Sequence, residues 1–225
     1  MVIFDAIDTL FMAYPDKVGM YQKVIEGITG KHFSREEIEK VWDRVVREAE
    51  NLSLKNVDDS KKNNLAWDDF NKRILHYLGI RENLEENSAR LLDQAWDEPS
   101  NYRLFDDVLE VLEGLKRIGI RIACLSNEDK GLNKFFDYFK VKEYFDFVIT
   151  SSEFGYEKPH PFIFEEAVKQ SGLEKKEILF VGDSYTSDYL GAMKAGLPVR
   201  LIDREDKYND KNIKKIKSLV EILGR

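Results

Sequence analysis

The sequence predicts an α/β protein: a three-layer core with a mostly parallel sheet, into which an all-α domain is inserted. In most of the chain, short apolar runs alternate with amphipathic helical patterns, which is typical of parallel strands joined by crossover helices. Between about Tyr14 and Asn87, however, apolar residues recur only at helical spacing. We therefore expect a core domain formed by residues 1–13 and 93–225, and a helical domain formed by residues 14–92.

The first strand is expected at Val2-Ile3-Phe4, a short apolar run that contains β-branched residues. It ends at Asp5, and a carboxylate at the end of a buried strand is costly unless something there uses its charge. In an open α/β sheet, ligands bind at the carboxyl ends of the strands. Asp5 is therefore a candidate functional residue, although taken alone it could equally cap a turn or a helix.

The inserted segment predicts four helices. One begins after Tyr14, and a second begins at the capping box Ser34–Glu37. The third ends at Gly79, and the fourth runs from Leu84 to Trp96. The polar stretch from Asn51 to Asn64 is expected to be a loop or a frayed helix.

The alternation of strands and helices resumes at Arg103 and continues to the end of the chain. Each predicted strand is a short apolar run, and each predicted helix has one apolar face. The predicted strands are 121–125, 147–150, 178–181 and, as the last, 198–202. The predicted helices cover 108–115, 135–139, 162–168, 189–195 and, as a final amphipathic helix, 213–223.

Polar side chains follow three of these strands in a recognisable order. Ser126-Asn127 follows the first, Lys158 comes a few residues after the second, and Asp183 with Asp188 follows the third. Alone, Lys158 could be an exposed surface lysine, and Asp183 could be a loop acid or a helix N-cap. Together with Asp5, the order resembles the haloacid dehalogenase superfamily of hydrolases, and it covers the chain to about Pro198 outside the insertion.

The resemblance implies a Rossmann-like core, and the helical insertion resembles the type 1 cap of this superfamily. Such a cap closes over the active site, excludes water and helps to select the substrate.

The resemblance also implies roles for the residues that match the motifs. Asp5 matches the nucleophile that forms an aspartyl-phosphate, and Lys158 matches the catalytic lysine that offsets negative charge there. Ser126 matches the residue that hydrogen-bonds the transferring phosphoryl oxygen, and Asn127 and Thr9 are expected to be further phosphate contacts. The implied cofactor is Mg²⁺. Its expected ligands are Asp5, the backbone carbonyl of Ile7, Asp183 and Asp188, the last of which could instead steady the lysine.

One position departs from the family pattern. Phosphatases of this family usually carry a second Asp two residues after the nucleophile, which protonates the leaving group and later activates water. Here that residue is Ile7, which cannot transfer a proton. Asp8 stands where the family usually has Gly, and its side chain is expected to point elsewhere. General acid–base catalysis is worth about two to four orders of magnitude in rate. With Ile7 at this position, the sequence does not show which group protonates the leaving group.

Three functions are consistent with these residues. The first is a Mg²⁺-dependent phosphohydrolase acting on a small phosphorylated metabolite. The second is a 2-haloacid dehalogenase, since those relatives also lack the second Asp, but they generally lack a metal-binding acid where this chain has Asp183. The third is a low-turnover module that binds a phosphate ligand or a protein, and Ile7 motivates it.

Composition limits the partners and the compartment. The chain has 42 acidic and 35 basic residues, and a net charge of −7 argues against a nucleic-acid footprint. The single Cys124 cannot form an intramolecular disulfide, which agrees with a reducing compartment. Since neither a signal peptide nor a membrane-spanning run is visible, we expect a cytoplasmic protein that binds no membrane. Its oligomeric state stays open.

Overall fold

A computed structural model describes residues 1–53, 63–128, 131–209 and 213–224. The chain divides into two compact units, one of Met1–Met12 with Arg103–Arg225 and the other of Ala13–Tyr102. The helical unit therefore begins one residue before the expected bound of 14 and ends at residue 102 instead of 92. We refer to the first unit as the core unit and to the second as the helical unit.

Eight strands are described in the chain. They are β1 (Val2–Phe4), β2 (Phe11–Ala13), β3 (Tyr102–Leu104), β4 (Ile122–Ser126), β5 (Phe145–Thr150), β6 (Leu179–Gly182), β7 (Val199–Ile202) and β8 (Lys215–Ile216). Six of them form the core sheet in the order β5-β4-β1-β6-β7-β8, and each pairing of neighbours is parallel. This arrangement confirms the predicted fold class, with β1 in the interior of the sheet.

Nine α-helices accompany the strands in the described residues. Four lie in the insertion and five in the core unit. They are α1 (Lys17–Thr29), α2 (Arg35–Ser53), α3 (Asn63–Tyr77), α4 (Leu84–Leu91), α5 (Val108–Arg117), α6 (Leu132–Tyr138), α7 (Ser151–Phe154), α8 (Pro161–Ser171) and α9 (Gly191–Lys194). Short π-helical turns cover Leu92–Trp96 and Tyr185–Leu190. The four helices expected in the insertion are thus present, and residues 54–62 of the polar stretch lie outside the described residues.

The predicted final helix over 213–223 is wrong. Lys215 and Ile216 instead form β8, which pairs with Leu201 and Ile202 of β7. A 3₁₀-helix then covers Leu219–Leu223. The apolar spacing in this segment is compatible with either structure, and pairing with β7 decides between them.

The helical unit is held together by capping and by a buried aromatic cluster. Ser34 and Glu37 form the expected capping box, since the Ser34 N–H donates to Glu37 Oε2 at 2.8 Å and the Glu37 N–H donates to Ser34 Oγ at 3.3 Å. Inside, the fully buried Tyr21 hydroxyl donates to Asn71 Oδ1 and accepts from the Trp96 indole N–H, each at 2.7 Å. These bonds satisfy polar atoms that would otherwise be costly to bury.

The insertion leaves and rejoins the core chain at β2 and β3, which pair with each other in a separate two-stranded sheet. At this end of the helical unit the Tyr14 N–H donates to the Asn101 carbonyl at 2.8 Å. Within the described part of the chain, no helix combines the length and the apolar character that crossing a membrane requires.

Candidate active site

Asp5 lies at the carboxyl end of β1, where its backbone N–H donates to the Val181 carbonyl at 2.9 Å. Strand β1 is apolar and buried. It lies between β4 and β6 in the sheet, so these two strands flank Asp5. Their parallel register brings the ends of all three strands to one edge of the sheet. Asp5 itself is only 7% exposed, and Ser126 Oγ of β4 donates to its Oδ1 at 3.1 Å.

Lys158 is buried between two carboxylates. Its Nζ donates to Asp5 Oδ1 at 2.5 Å and to Asp188 Oδ1 at 2.6 Å, and the residue is 4% exposed. It is therefore not the surface lysine that the sequence alone allowed. Burial by itself would lower the pKa of Lys158, but the charges of Asp188 and Asp5 outweigh it and raise that pKa above its ordinary value. The ammonium stays charged across the physiological range.

Asn127 fixes the backbone of Lys158. Its Nδ2 donates to the Lys158 carbonyl at 2.8 Å, and its Oδ1 accepts from the Lys158 N–H at 2.7 Å. Both polar groups of the Asn127 side chain thus bond to the Lys158 backbone, and the expected phosphate contact of Asn127 stays a prediction. The reciprocal bonds link the end of β4 to the segment before α8, and they hold the lysine in position.

Asp188 uses both carboxylate oxygens within the site. Oδ1 accepts from Lys158, and Oδ2 accepts from the Ser184 N–H at 2.9 Å. Gly182 makes room for it, because a Cβ at that position would lie 2.4 Å from Asp188 Cγ. Burial raises the pKa of Asp188 to about 6, against the opposing charge of Lys158.

Asp183 lies beside Asp5 and Asp188, and one carboxylate oxygen from each of the three lies within 4.8 Å of the other two. Burial, followed by the negative charges of Asp5 and Asp188, raises the pKa of Asp183 well above its ordinary value. The N-cap of the following π-helical turn is Ser184, not Asp183. Three carboxylates beside one ammonium leave an excess of negative charge, which a divalent cation would offset.

Thr9 and Ile7 lie on the turn after β1. The buried Thr9 hydroxyl lies 3.5 Å from Asp183 Oδ1, at the outer limit of a hydrogen bond. Ile7 forms an isolated parallel bridge with Phe11, and its side chain offers no group that can transfer a proton. The expected metal contact of its backbone carbonyl stays a prediction.

The backbone conformation at Asp8 accounts for the glycine that the family usually has at this position. Its φ of 62° lies in the left-handed region, which glycine adopts without strain and which Asp tolerates better than most residues. The Asp8 N–H donates to the Phe11 carbonyl at 2.7 Å and closes the turn. Its charge contributes to the raised pKa of Asp183, so it adds to the negative potential of the site.

Two residues near the site escaped the sequence reasoning. Arg204 donates to the Thr9 carbonyl at 3.2 Å and forms an ion pair with Asp107. Arg204 comes two residues after β7, so the rule that identified Asp5 at a strand end could have found it. Nothing in the local sequence marks Asp107 as its partner.

A family model described as haloacid dehalogenase-like hydrolase matches residues 1–196. Among curated relatives, haloacid dehalogenase-like hydrolase domain-containing protein 3 of Bos taurus is 32% identical over 134 residues, or 58% of this chain and 53% of the relative. Glyceraldehyde 3-phosphate phosphatase of Methanothermobacter thermautotrophicus is 35% identical over 105 residues, or 46% of each chain. The matches span about half the length of these curated relatives.

A solved structure extends the likeness to the whole fold. The putative HAD-hydrolase YfnB from Bacillus subtilis, which was crystallised bound to magnesium, has a TM-score of 0.83. The alignment covers 99% of this chain and 96% of that chain at 14% identity. At this identity the likeness shows the fold alone.

Proposed function

Because the chain belongs to the haloacid dehalogenase-like hydrolase family, whose model matches residues 1–196, we propose that it is a Mg²⁺-dependent phosphohydrolase acting on a small phosphorylated metabolite. The observation that carries the proposal is the buried ammonium of Lys158, held 2.5 Å from Asp5 and 2.6 Å from Asp188. A relative named glyceraldehyde 3-phosphate phosphatase supports the substrate class.

Asp5 is the proposed nucleophile. One of its carboxylate oxygens attacks phosphorus, the bond from phosphorus to the leaving oxygen breaks, and an aspartyl-phosphate forms. Water then attacks the phosphorus, so that inorganic phosphate is released and the carboxylate is restored. Lys158 offsets the negative charge that accumulates between Asp5 and the phosphoryl group, and the Ser126 hydroxyl turns from Asp5 to a phosphoryl oxygen.

The acidic cluster of Asp5, Asp183 and Asp188 fits a magnesium ion. Asp5 and Asp183 are the proposed carboxylate ligands, and their excess negative charge favours a hard divalent cation with oxygen ligands. Asp188 already accepts hydrogen bonds at both oxygens, so its contacts support the steadying of Lys158 more directly than metal binding. When bound, Mg²⁺ would supply charge neutralisation for the phosphoryl oxygens.

Ile7 narrows the class of substrate that we propose. With no acid at this position to protonate a departing alkoxide, the enzyme is best suited to leaving groups that depart without a proton. Acyl phosphates and activated esters have such leaving groups, whereas sugar phosphates do not, and these include the glyceraldehyde 3-phosphate for which one relative is named. The relative therefore supports a small phosphorylated metabolite in general, and Ile7 carries the narrower proposal. A substrate that carries its own acidic group would also meet this requirement.

The test is phosphate release from p-nitrophenyl phosphate and from a panel of acyl, sugar and nucleotide phosphates, with Mg²⁺ and with EDTA. We expect Mg²⁺-dependent release that is abolished in Asp5→Asn. Asp137→Asn is the matched control, because Asp137 makes an exposed ion pair with Lys142 in the same unit. Release that persists in EDTA, or full activity in Asp5→Asn, would contradict the proposal.

Ile7 also favours a second candidate, a 2-haloacid dehalogenase in which Asp5 attacks carbon and displaces halide. Asp183 counts against it, since that chemistry needs no metal and a third acid beside Asp5 and Asp188 would only add repulsion. Halide release from 2-chloropropionate without metal would favour the dehalogenase. Absence of both phosphate and halide release would favour the low-turnover binding module.

A further inference from the structure

Asp107 and Arg204 form a largely buried, bidentate ion pair in the core unit. Arg204 Nη1 donates to Asp107 Oδ2 at 2.8 Å, and Nη2 donates to Oδ1 at 2.9 Å. The Arg204 side chain is 19% exposed and the Asp107 side chain is 12% exposed. The guanidinium also lies over the ring of Phe105, with its carbon 3.9 Å from the ring centroid. A planar guanidinium makes all of these contacts at once, whereas a lysine ammonium cannot.

The C-terminal segment holds the carboxylate of this pair. Ser218 Oγ donates to Asp107 Oδ2 at 2.7 Å, and the Leu219 N–H donates to the same oxygen at 2.8 Å. Burial would raise the pKa of Asp107, but the hydrogen bonds from Arg204, Ser218 and Leu219 outweigh it and lower that pKa. The Asp107 carboxylate is therefore charged and accepts hydrogen bonds at both oxygens, and it holds both terminal nitrogens of Arg204. The Arg204 Nε is buried and has no hydrogen-bond partner among the described residues.

From this fixed position Arg204 reaches the turn that follows the nucleophile. Its Nη2 donates to the Thr9 carbonyl at 3.2 Å, and the hydroxyl of the same Thr9 faces Asp183 Oδ1 at 3.5 Å. Arg204 thus fixes the backbone of Thr9, and the side chain of Thr9 faces the Asp183 carboxylate. The turn is closed by its own backbone bonds, such as the Leu10 N–H to the Ala6 carbonyl at 2.8 Å, and the Phe105 N–H donates to the Leu10 carbonyl at 3.1 Å.

We propose that Arg204 is a positioning residue for the metal-binding side of the site: it fixes the Thr9 carbonyl, and through Thr9 it sets the place of the Asp183 carboxylate. The inference rests on the proposed function for its catalytic consequence, but not for its effect on Mg²⁺ binding. Partners that orient metal ligands are typically worth about 10–100-fold in metal affinity or activity. Arg204 contacts the metal ligand Asp183 only through Thr9, so we expect its loss to weaken Mg²⁺ binding by about the lower limit of that range.

The test compares Arg204→Lys with Arg117→Lys, the same change at an exposed arginine of α5. Titration calorimetry with MgCl₂ and no substrate measures the dissociation constant. We expect Arg204→Lys to weaken Mg²⁺ binding about tenfold and Arg117→Lys to leave it unchanged. In metal-free protein, the amides of residues 6–11 should exchange faster with deuterium in Arg204→Lys alone. Unchanged Mg²⁺ affinity in a folded Arg204→Lys protein would overturn the inference.

A second variant covers the case in which Arg204→Lys fails to fold. Thr9→Val keeps the shape and the backbone anchor but removes the hydroxyl, and it should weaken Mg²⁺ binding by a similar factor. If Arg204 acts through Thr9, the double variant should bind Mg²⁺ no more weakly than the weaker single variant. Additive losses, or unchanged affinity in Thr9→Val, would refute the path through Thr9.

Kinetics then separate this inference from the proposed function. With an active substrate, Arg204→Lys should raise the half-saturating Mg²⁺ concentration while the substrate KM at saturating Mg²⁺ stays the same. A merely structural role would lower the amount of active enzyme without shifting this Mg²⁺ concentration. If the unaltered protein releases no phosphate, the proposed function fails, and the calorimetric comparison still decides the role of Arg204.

Discussion

Replacing Lys158 with methionine removes the ammonium that separates Asp5 from Asp188. Their carboxylate oxygens lie within 4.8 Å, and two unit charges at that distance repel by about 3.5 kcal/mol at an effective dielectric constant near 20. Removing one partner of a buried ion pair typically costs about 3–5 kcal/mol, which agrees with this figure. We therefore expect the free energy of unfolding to fall by about 3–5 kcal/mol near neutral pH.

The stability lost in Lys158→Met should depend on pH, because the buried Asp188 carboxylate takes up a proton in the folded variant. Burial already raises the pKa of Asp188 to about 6, and loss of Lys158 raises it further. The folded variant then holds a proton that the unfolded chain has released above its ordinary pKa of about 3.9. Stability of the variant should therefore fall, relative to the parent, by about 1.4 kcal/mol per pH unit for one such proton as pH rises from about 6 to about 8.

Urea unfolding in EDTA at several pH values measures both effects, and EDTA keeps metal ions from masking them. Lys194→Met is the matched control, since Lys194 is exposed on α9. Adding Asp188→Asn to Lys158→Met should recover part of the loss, because it removes one of the repelling charges. A loss below about 1 kcal/mol, with no dependence on pH, would refute the reasoning that Lys158 neutralises a buried acidic pair.

Two further predictions concern the site. Gly182→Ala places a Cβ 2.4 Å from Asp188 Cγ, so it should displace that carboxylate and abolish phosphate release. Gly27→Ala is its control, since nothing lies within 4 Å of a Cβ there, and retained activity in Gly182→Ala would contradict the packing argument. Ile7→Asp restores the family's acid, so turnover of alkyl phosphates should rise by about two to four orders of magnitude, whereas that of acyl phosphates should change little. Equal gains for both classes in the phosphate-release assay would argue against a missing general acid.

The parts of the fold that the sequence predicted are those that local patterns determine. The apolar run before Asp5 is a buried strand, and Pro161 begins α8 because proline suits the first helical position. Strands β2 and β3 were not predicted, since three residues are too few to show a period of two and, unlike the equally short β1, neither contains a β-branched residue. The segment 213–223 was mistaken for a helix because its apolar residues recur at helical spacing, and a two-residue strand such as β8 leaves no periodic pattern of its own.

The site divides in the same way. Asp5, Ser126 and Asp183 could be placed together because each follows a strand of one parallel sheet. The role of Asn127 could not, since its amide bonds to the Lys158 backbone depend on how the segment before α8 folds back toward β4. The Arg204 anchor joins segments that are 195 residues apart in the chain, so only the three-dimensional structure shows it.

The hydrogen bond between Tyr14 and Asn101 joins the two ends of the helical unit, so the insertion starts and finishes at nearly the same place. Its two ends meet, so the helices between them span no fixed distance and their number and length are free to vary. A flexible connection that doubles in length costs only about 0.6 kcal/mol of closure entropy. We therefore expect that the core unit still folds when the insertion between β2 and β3 is replaced by a different one. The order of the strands that carry Asp5, Ser126 and Asp183 stays the same in such a chimera.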